Sequence, residues 1–331
     1  MINFLNDIIL FKPVKLSEIG ERAIVEEIRK MLDQENSFLG DDCAYILYGE
    51  EYLLITTDMV REKTHLPSVM KPWDTGWFVA AINISDIAAM GGTPLGLLFS
   101  LGVPKAADET VVLEIMRGAD ECVKHYNALV IGGDTKEHDE ITISGTAVGN
   151  VPKNEILFRI GMKPGDVVAV TGMLGKAGAG YLALKHNLSN ISLDGLIHPF
   201  PRVEAGRKLA QNQLVTACMD ISDGLASSLY QLAAMNGVGF VIERDALPVA
   251  KEAFAVAEKL GKDPYSIAID YGGDYELLVT LPSENVTRAC NLLSKTPLTI
   301  IGKVTETKDI DIICHGRKRR LFDKGYEHFR D

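Results

Sequence analysis

The sequence predicts a mixed α/β protein of two domains, and three observations carry that reading. Short apolar runs bounded by turn residues alternate with segments whose apolar residues recur every three to four positions. A polar, turn-rich stretch, Asn150-Val151-Pro152-Lys153-Asn154, separates two such series. The 331 residues, 47% of them hydrophobic, suffice for two cores, so the domains are expected at 1–150 and 151–331.

Ser17 caps a predicted helix over 17–32, in which Ile19, Ala23, Ile24, Ile28, Met31 and Leu32 recur at helical spacing. Residues 45–47 and 52–57 read as strands joined around Gly49, the second ending in Thr56-Thr57-Asp58. Helical spacing over 73–90 is stopped by Gly91-Gly92, and 95–103 resumes as a buried strand. Val112, Ile115, Met116, Ala119, Cys122, Val123 and Tyr126 trace one face of the next helix, followed by strands at 129–131 and 141–148. In the second half, strands are expected over 166–171, 239–243 and 276–281, and helices over 181–185, 224–235 and 286–293. Asn83-Ile84-Ser85-Asp86 echoes Asp220-Ile221-Ser222-Asp223, and Gly132-Gly133-Asp134 echoes Gly272-Gly273-Asp274, which leaves a duplicated architecture open.

The charge balance, 34 Lys and Arg against 45 Asp and Glu for a net −11, argues against a general nucleic-acid binder. Five scattered cysteines with no C-x-x-C spacing fit a reducing cytoplasm and no structural zinc. The apolar patch at 8–11 has no basic leader before it, so a signal peptide is not expected. No apolar run approaches the ~20 residues of a membrane span.

The aspartates carry the functional signal. Gly40-Asp41-Asp42, Thr56-Thr57-Asp58, Ser85-Asp86, Gly133-Asp134 and Asp220-Ile221-Ser222-Asp223 all fall at expected junctions between elements. Singly, each reads as a helix cap or a turn. Brought together, they would form a ring of hard oxygen ligands suited to Mg²⁺ carrying substrate phosphates.

The glycine-rich stretch Thr171 to Gly180 follows a strand and precedes a helix, a geometry able to hold an anion on backbone N–H groups. It is not a P-loop: Ala177 stands where a hydroxyl must bind Mg²⁺, and Val170 where the first glycine belongs. A dinucleotide site is disfavoured because Asp194 is badly spaced for a ribose contact, which leaves a tight turn with close helix packing. There is no G-x-S-x-G, and none of the seven histidines sits in an evident catalytic motif. His65, in the charged run Arg61-Glu62-Lys63-Thr64-His65, could meet an anionic substrate.

Taken in order, Gly40-Asp41-Asp42-Cys43-Ala44, Thr56-Thr57-Asp58, Asn83 to Gly91, Gly132-Gly133-Asp134-Thr135, Asp220 to Gly224 and Lys324-Gly325-Tyr326-Glu327-His328-Phe329 resemble the thiamine-monophosphate kinase family of the aminoimidazole ribonucleotide synthetase superfamily. The resemblance implies two-domain subunits whose N-terminal sheets pair across a homodimer, and phosphorylation of thiamine monophosphate by ATP without a P-loop. It also implies Mg²⁺ ligands at Asp42, Thr56, Thr57, Asp58, Asp86, Asp134, Asp220 and Asp223, of which Asp42, Asp86, Asp134 and Asp220 would serve catalysis through the metal. Gly133, Asp134, Arg159 and Ser222 would meet ATP, and His65 and Tyr326 the thiamine phosphate. Where the family commonly has Gly-Gly-Glu-Asp-Tyr-Glu-Leu, this chain reads Gly272-Gly273-Asp274-Tyr275-Glu276-Leu277 and lacks one glutamate, leaving Asp270 or Asp274 as the nearest acids. Two alternatives stay open: another ATP-using enzyme of the superfamily, and a non-catalytic nucleotide-binding protein.

Overall fold

The computed structural model describes residues 14–32 and 40–329, so the apolar patch at 8–11 lies outside the described residues. The chain divides into two compact units, a small one drawn from Met1–Leu39 and Glu327–Asp331 and a large one, Gly40–Tyr326. In the small unit, α1 (Leu16–Ile19) and α2 (Glu21–Met31) replace the single helix expected over 17–32. Gly20 breaks it with a φ of 81°, a backbone state that glycine enters without a Cβ penalty. The Arg22 N–H donates to Glu327 Oε1 and the His328 N–H to Glu21 Oε2, each at 3.2 Å.

In the large unit, a first sheet is built from β1 (Ala44–Tyr48), β2 (Glu51–Arg61), β3 (Thr93–Val103), β4 (Leu129–Glu137) and β5 (Thr142–Pro152). Its order is β1-β2-β5-β3-β4, antiparallel except for the β3–β4 pair. The helices of this region are α3 (Glu62–His65), α4 (Pro72–Ala89) and α5 (Glu109–His125). β5 alternates between buried and half-buried residues along its length, the pattern of a sheet with one covered face. The helix α4 is apolar on all sides and buried over most of its length, because it packs on β2 and β5 with one flank and on the second half of the unit with another.

The second sheet contains β6 (Val167–Thr171), β7 (Ala217–Asp220), β8 (Gly239–Glu243), β9 (Leu277–Leu281), β10 (Leu298–Thr305), β11 (Ile310–Cys314) and β12 (Arg317–Arg320), in the order β12-β11-β8-β10-β6-β9-β7. Around it lie α6 (Lys176–Lys185), α7 (Asp194–Ile197), α8 (Val203–Gln211), α9 (Leu225–Asn236), α10 (Lys251–Leu260), α11 (Pro264–Asp270) and α12 (Val286–Leu292). β7 and β9 are buried at every residue, as strands covered on both faces must be. α4 touches both α8 and β7, so this helix is the seam between the two halves.

Three expectations need correction. β2 does not end at Asp58; it pairs with β5 as far as Arg61, because Met59 and Val60 continue the ladder past the polar triplet. Asp86 is no helix cap but sits in the last turn of α4, and Gly132-Gly133-Asp134 is no turn but part of β4. The two sequence echoes fall on unlike structures: residues 83–86 are helical while 220–223 leave a strand, and 132–134 are strand while 272–274 are loop. They are therefore not repeats of one architecture.

All five cysteines are free thiols. Among the described residues no helix is long and apolar enough to cross a membrane.

Candidate active site

Three carboxylates from distant stretches of sequence converge at the α4 seam. Asp42 precedes β1, Asp86 lies in the last turn of α4 and Asp220 ends β7, and one oxygen of each lies within 4.8 Å of the others. Hydroxyls orient two of them. Thr56 Oγ1 donates to Asp86 Oδ2 at 2.5 Å, and Ser85 Oγ donates to Asp220 Oδ2 at 2.6 Å. The third is clamped by a cation: Arg159 Nη2 donates to Asp42 Oδ1 at 2.7 Å and Nε to Oδ2 at 3.1 Å. The arrangement depends on α4, whose consecutive Ser85 and Asp86 serve different partners.

This group carries more negative charge than its one guanidinium balances. Burial pushes the Asp220 carboxyl up to about 7, with Asp42 adding to the rise. Asp86 is raised well above the carboxylate range by burial and then by Asp58, Asp220 and Asp42, against the opposing Thr56 hydroxyl. Asp41, whose carboxylate accepts from the Asp42 and Arg159 N–H groups, is pushed up to about 6 by burial and by Asp42. Burial works against the Arg159 charge, but Asp42, Asp220 and Asp41 outweigh it and hold the guanidinium above its ordinary pKa. Buried carboxylates that repel one another fit a hard divalent cation, which supplies the missing positive charge and takes oxygen ligands.

The other expected residues are placed unequally. Asp58 adjoins the group: its N–H donates to Asn83 Oδ1 at 3.1 Å, and burial followed by Asp223 and Asp42 raises its carboxyl to about 6. Thr57 lies on the opposite face of the sheet from Thr56 and Asp58, because side chains alternate along β2. Its hydroxyl donates to the Gly145 carbonyl at 2.9 Å. Asp134 is exposed on the edge strand β4, next to Gly133, and pairs with Lys136 at 3.1 Å. The chain folded alone thus does not bring Thr57 or Asp134 into the carboxylate group. The Arg159 guanidinium, expected on ATP, is committed to Asp42 here. Ser222 and Asp223 follow β7, and the Ser222 carbonyl accepts from the Gly273 N–H at 2.7 Å. His65 ends α3, its Nδ1 accepting from the Arg61 N–H at 3.2 Å. Tyr326 is half exposed in the segment after β12, which crosses the turn after β7 so closely that Gly325 lies against Asp223 and Ser227.

The glycine-rich loop before α6 does hold a carboxyl group, and that group is internal. Gly175 and Ala177 N–H groups donate to the two oxygens of Asp274, at 2.5 and 3.1 Å. Asp274 is therefore a structural ligand of that loop. Beside it, Glu276 is held by Arg202 Nε at 2.6 Å and by Thr171 Oγ1 at 2.8 Å. Its carboxylate lies so close to Gly172 that a Cβ there would collide with it. Sequence reasoning missed Tyr275, whose backbone adopts a φ of 51° and whose ring meets Phe78 edge-on at 6.4 Å. Its N–H donates to the Ile221 carbonyl at 3.0 Å, next to Asp220, and burial followed by Asp58, Asp220, Asp86 and Asp223 raises its phenol well above the usual value. Its only sequence signal is its position after Gly272-Gly273-Asp274.

The family models of "AIR synthase related protein" match this chain in both parts, the N-terminal domain over residues 40–151 and the C-terminal domain over 163–315. Thiamine-monophosphate kinase of Pyrococcus horikoshii is 36% identical over 308 residues, covering 92% of this chain and 96% of that protein. The Methanospirillum hungatei thiamine-monophosphate kinase is 36% identical over 310 residues, covering 94% and 99%. The solved structure "AaThiL complexed with AMPPCP and TMP" superposes with a TM-score of 0.86 at 30% identity, covering 96% of this chain and 99% of that one. With two AIR synthase related domains in order and near full-length relatives, the chain belongs to the thiamine-monophosphate kinase family.

Proposed function

We propose that this protein transfers the γ-phosphoryl group of ATP to thiamine monophosphate, giving ADP and thiamine diphosphate. The observation that carries the reading is the convergence of Asp42, Asp86 and Asp220 at the seam of a chain whose full-length relatives are thiamine-monophosphate kinases. Mg²⁺, when bound by these residues with Thr56, Asp58 and Asp223 nearby, would supply the positive charge that two anionic reactants need.

The acceptor is a phosphate monoester with a second pKa of about 6, so near neutral pH it already presents a nucleophilic oxygen. No protein base has to remove a proton, and we assign none. Phosphoryl transfer then depends on alignment and electrostatics. Thr56 and Ser85 fix the rotation of the Asp86 and Asp220 carboxylates, and burial keeps competing water from Asp220. Gly133, Asp134, Arg159 and Ser222 are proposed nucleotide contacts, and His65 and Tyr326 contacts to the acceptor. In this reading residues 1–150 bind metal and ATP, and 151–331 complete the site. The transfer is direct and in line, in the cytoplasm.

A homodimer is part of the proposal. Met59, Leu95 and Leu98 are 58%, 46% and 38% exposed on the open face of the first sheet, where Thr57 also points. A second copy would cover that face and bring its own residues toward Thr57.

The test is ADP release from ATP and Mg²⁺ with and without thiamine monophosphate, with thiamine diphosphate followed chromatographically. Equal amounts of ADP and thiamine diphosphate are expected. ADP release that ignores thiamine monophosphate would refute the substrate assignment.

A further inference from the structure

Arg159 stands where the proposed metal ligands and nucleotide contacts compete for the same atoms. Its Nε and Nη2 engage both oxygens of Asp42, whose side chain has no exposed surface. A bidentate guanidinium takes the best-directed lone pairs of a carboxylate. A divalent ion ligated by Asp42 would bear the same sign of charge as the guanidinium paired with that carboxylate, and neighbouring like charges repel strongly away from bulk water. Full ion pairing and metal ligation therefore oppose each other at Asp42.

The backbone around Arg159 is pinned, and its side chain already has a second partner. The Arg159 N–H donates to Asp41 Oδ2 at 3.1 Å, and its carbonyl accepts from Asn236 Nδ2 at 2.9 Å. Nη1 already lies 3.4 Å from Gln231 Oε1 on α9. The guanidinium thus already reaches a partner other than Asp42.

We infer that Arg159 is an exchangeable counter-ion: a divalent cation takes Asp42 from it, and the released guanidinium turns to the nucleotide phosphates. The inference rests on the proposed roles of Asp42 as a metal ligand and of Arg159 as a nucleotide contact. It makes divalent cation and nucleotide mutually reinforcing, each raising the affinity of the other by the same factor.

The experiment is calorimetric titration of MgCl₂ into the full-length protein without nucleotide. Arg159→Gln should bind Mg²⁺ about 5- to 150-fold more tightly than wild type, and at saturating Mg²⁺ it should bind AMPPCP more weakly. In the wild type, the Arg159 Nε–Hε resonance, identified by its loss in R159Q, should move on addition of Mg²⁺ alone. A general loss of stability would weaken both ligands and leave that resonance where it is. Unchanged or weaker Mg²⁺ binding by the variant, or an unmoved resonance, overturns the exchange and leaves the metal assignment standing. Absence of Mg²⁺ binding by both wild type and Arg159→Gln overturns the metal assignment and the exchange together. If Arg159→Gln does not fold, Arg159→Lys, which keeps the charge without the paired bonds, should show a smaller gain of the same sign, and no gain overturns the exchange.

Discussion

Two groups of buried carboxylates in the large unit are satisfied to different degrees. Glu276 has a 2% exposed side chain and meets Arg202 through both oxygens, the Thr171 hydroxyl and, at 3.4 Å, the Met173 N–H. Asp42, Asp86 and Asp220 share one guanidinium and two hydroxyls among them, and the carboxyls of Asp86 and Asp220 are held above their ordinary range. Glu276 holds loops together, whereas the three aspartates keep charge in reserve for a ligand. A fully compensated buried ion is a structural element, and an under-compensated one marks a place where chemistry is done.

The largest expected effect comes from unbalancing the balanced group. Arg202→Gln leaves Glu276 buried without its cation and should cost about 3–5 kcal/mol of stability in urea unfolding. Turnover per folded molecule should change far less, and a stability close to wild type would show that Glu276 does not depend on its cation.

Asp220→Asn should act in the opposite way. Removing a metal ligand is expected to lower kcat by about 10²- to 10³-fold, comparable with the loss of one preorganised electrostatic group. In EDTA at pH 8 the same variant should be more stable than wild type, because a neutral amide replaces a carboxylate that is charged there at a cost. Near-normal turnover at saturating Mg²⁺, or a drop in stability, would count against a reserve of negative charge.

A smaller effect tests Asp274, whose carboxyl burial raises to about 7 despite its backbone N–H donors. The folded chain therefore holds this proton more tightly than the unfolded chain, whose pKa is near the ordinary ~3.9. The stabilisation is complete below that value and is lost as pH rises through about 7. Asp274→Asn should remove about 2–3 kcal/mol of the fall in stability between about pH 5 and pH 8. A slope identical to wild type in urea titrations would show that Asp274 does not contribute.

Much of the fold was legible because local rules govern it. The apolar spacing over 73–90 marks α4 closely, and 95–103 and 239–243 are β3 and β8. The failures share a cause. Thr56-Thr57-Asp58 read as a strand end because three polar residues interrupt the apolar pattern, yet the ladder to β5 runs through them and their polarity serves the site. Asp86 read as a cap for the same reason: a carboxylate inside a buried helix makes sense only once its partners are known. Tyr275 gave almost no signal, since its environment is made by residues far away in sequence.

Read along the chain, the residues specify most helices and strands, many of the buried segments, and the short acidic motifs that resemble a known kinase family. Periodic burial and backbone hydrogen bonding act over a few residues, so they can be read along the chain. Only the tertiary structure decided that Ser85 serves Asp220 across 135 positions, that Arg159 belongs to Asp42, that Thr57 points away from its neighbours' partners, and that Asp274 fills the glycine loop. The Ser85–Asp220 pairing follows from how α4 packs between two sheets, and the strength of every charge interaction among them depends on distance and on exclusion of water, neither of which is set by position along the chain.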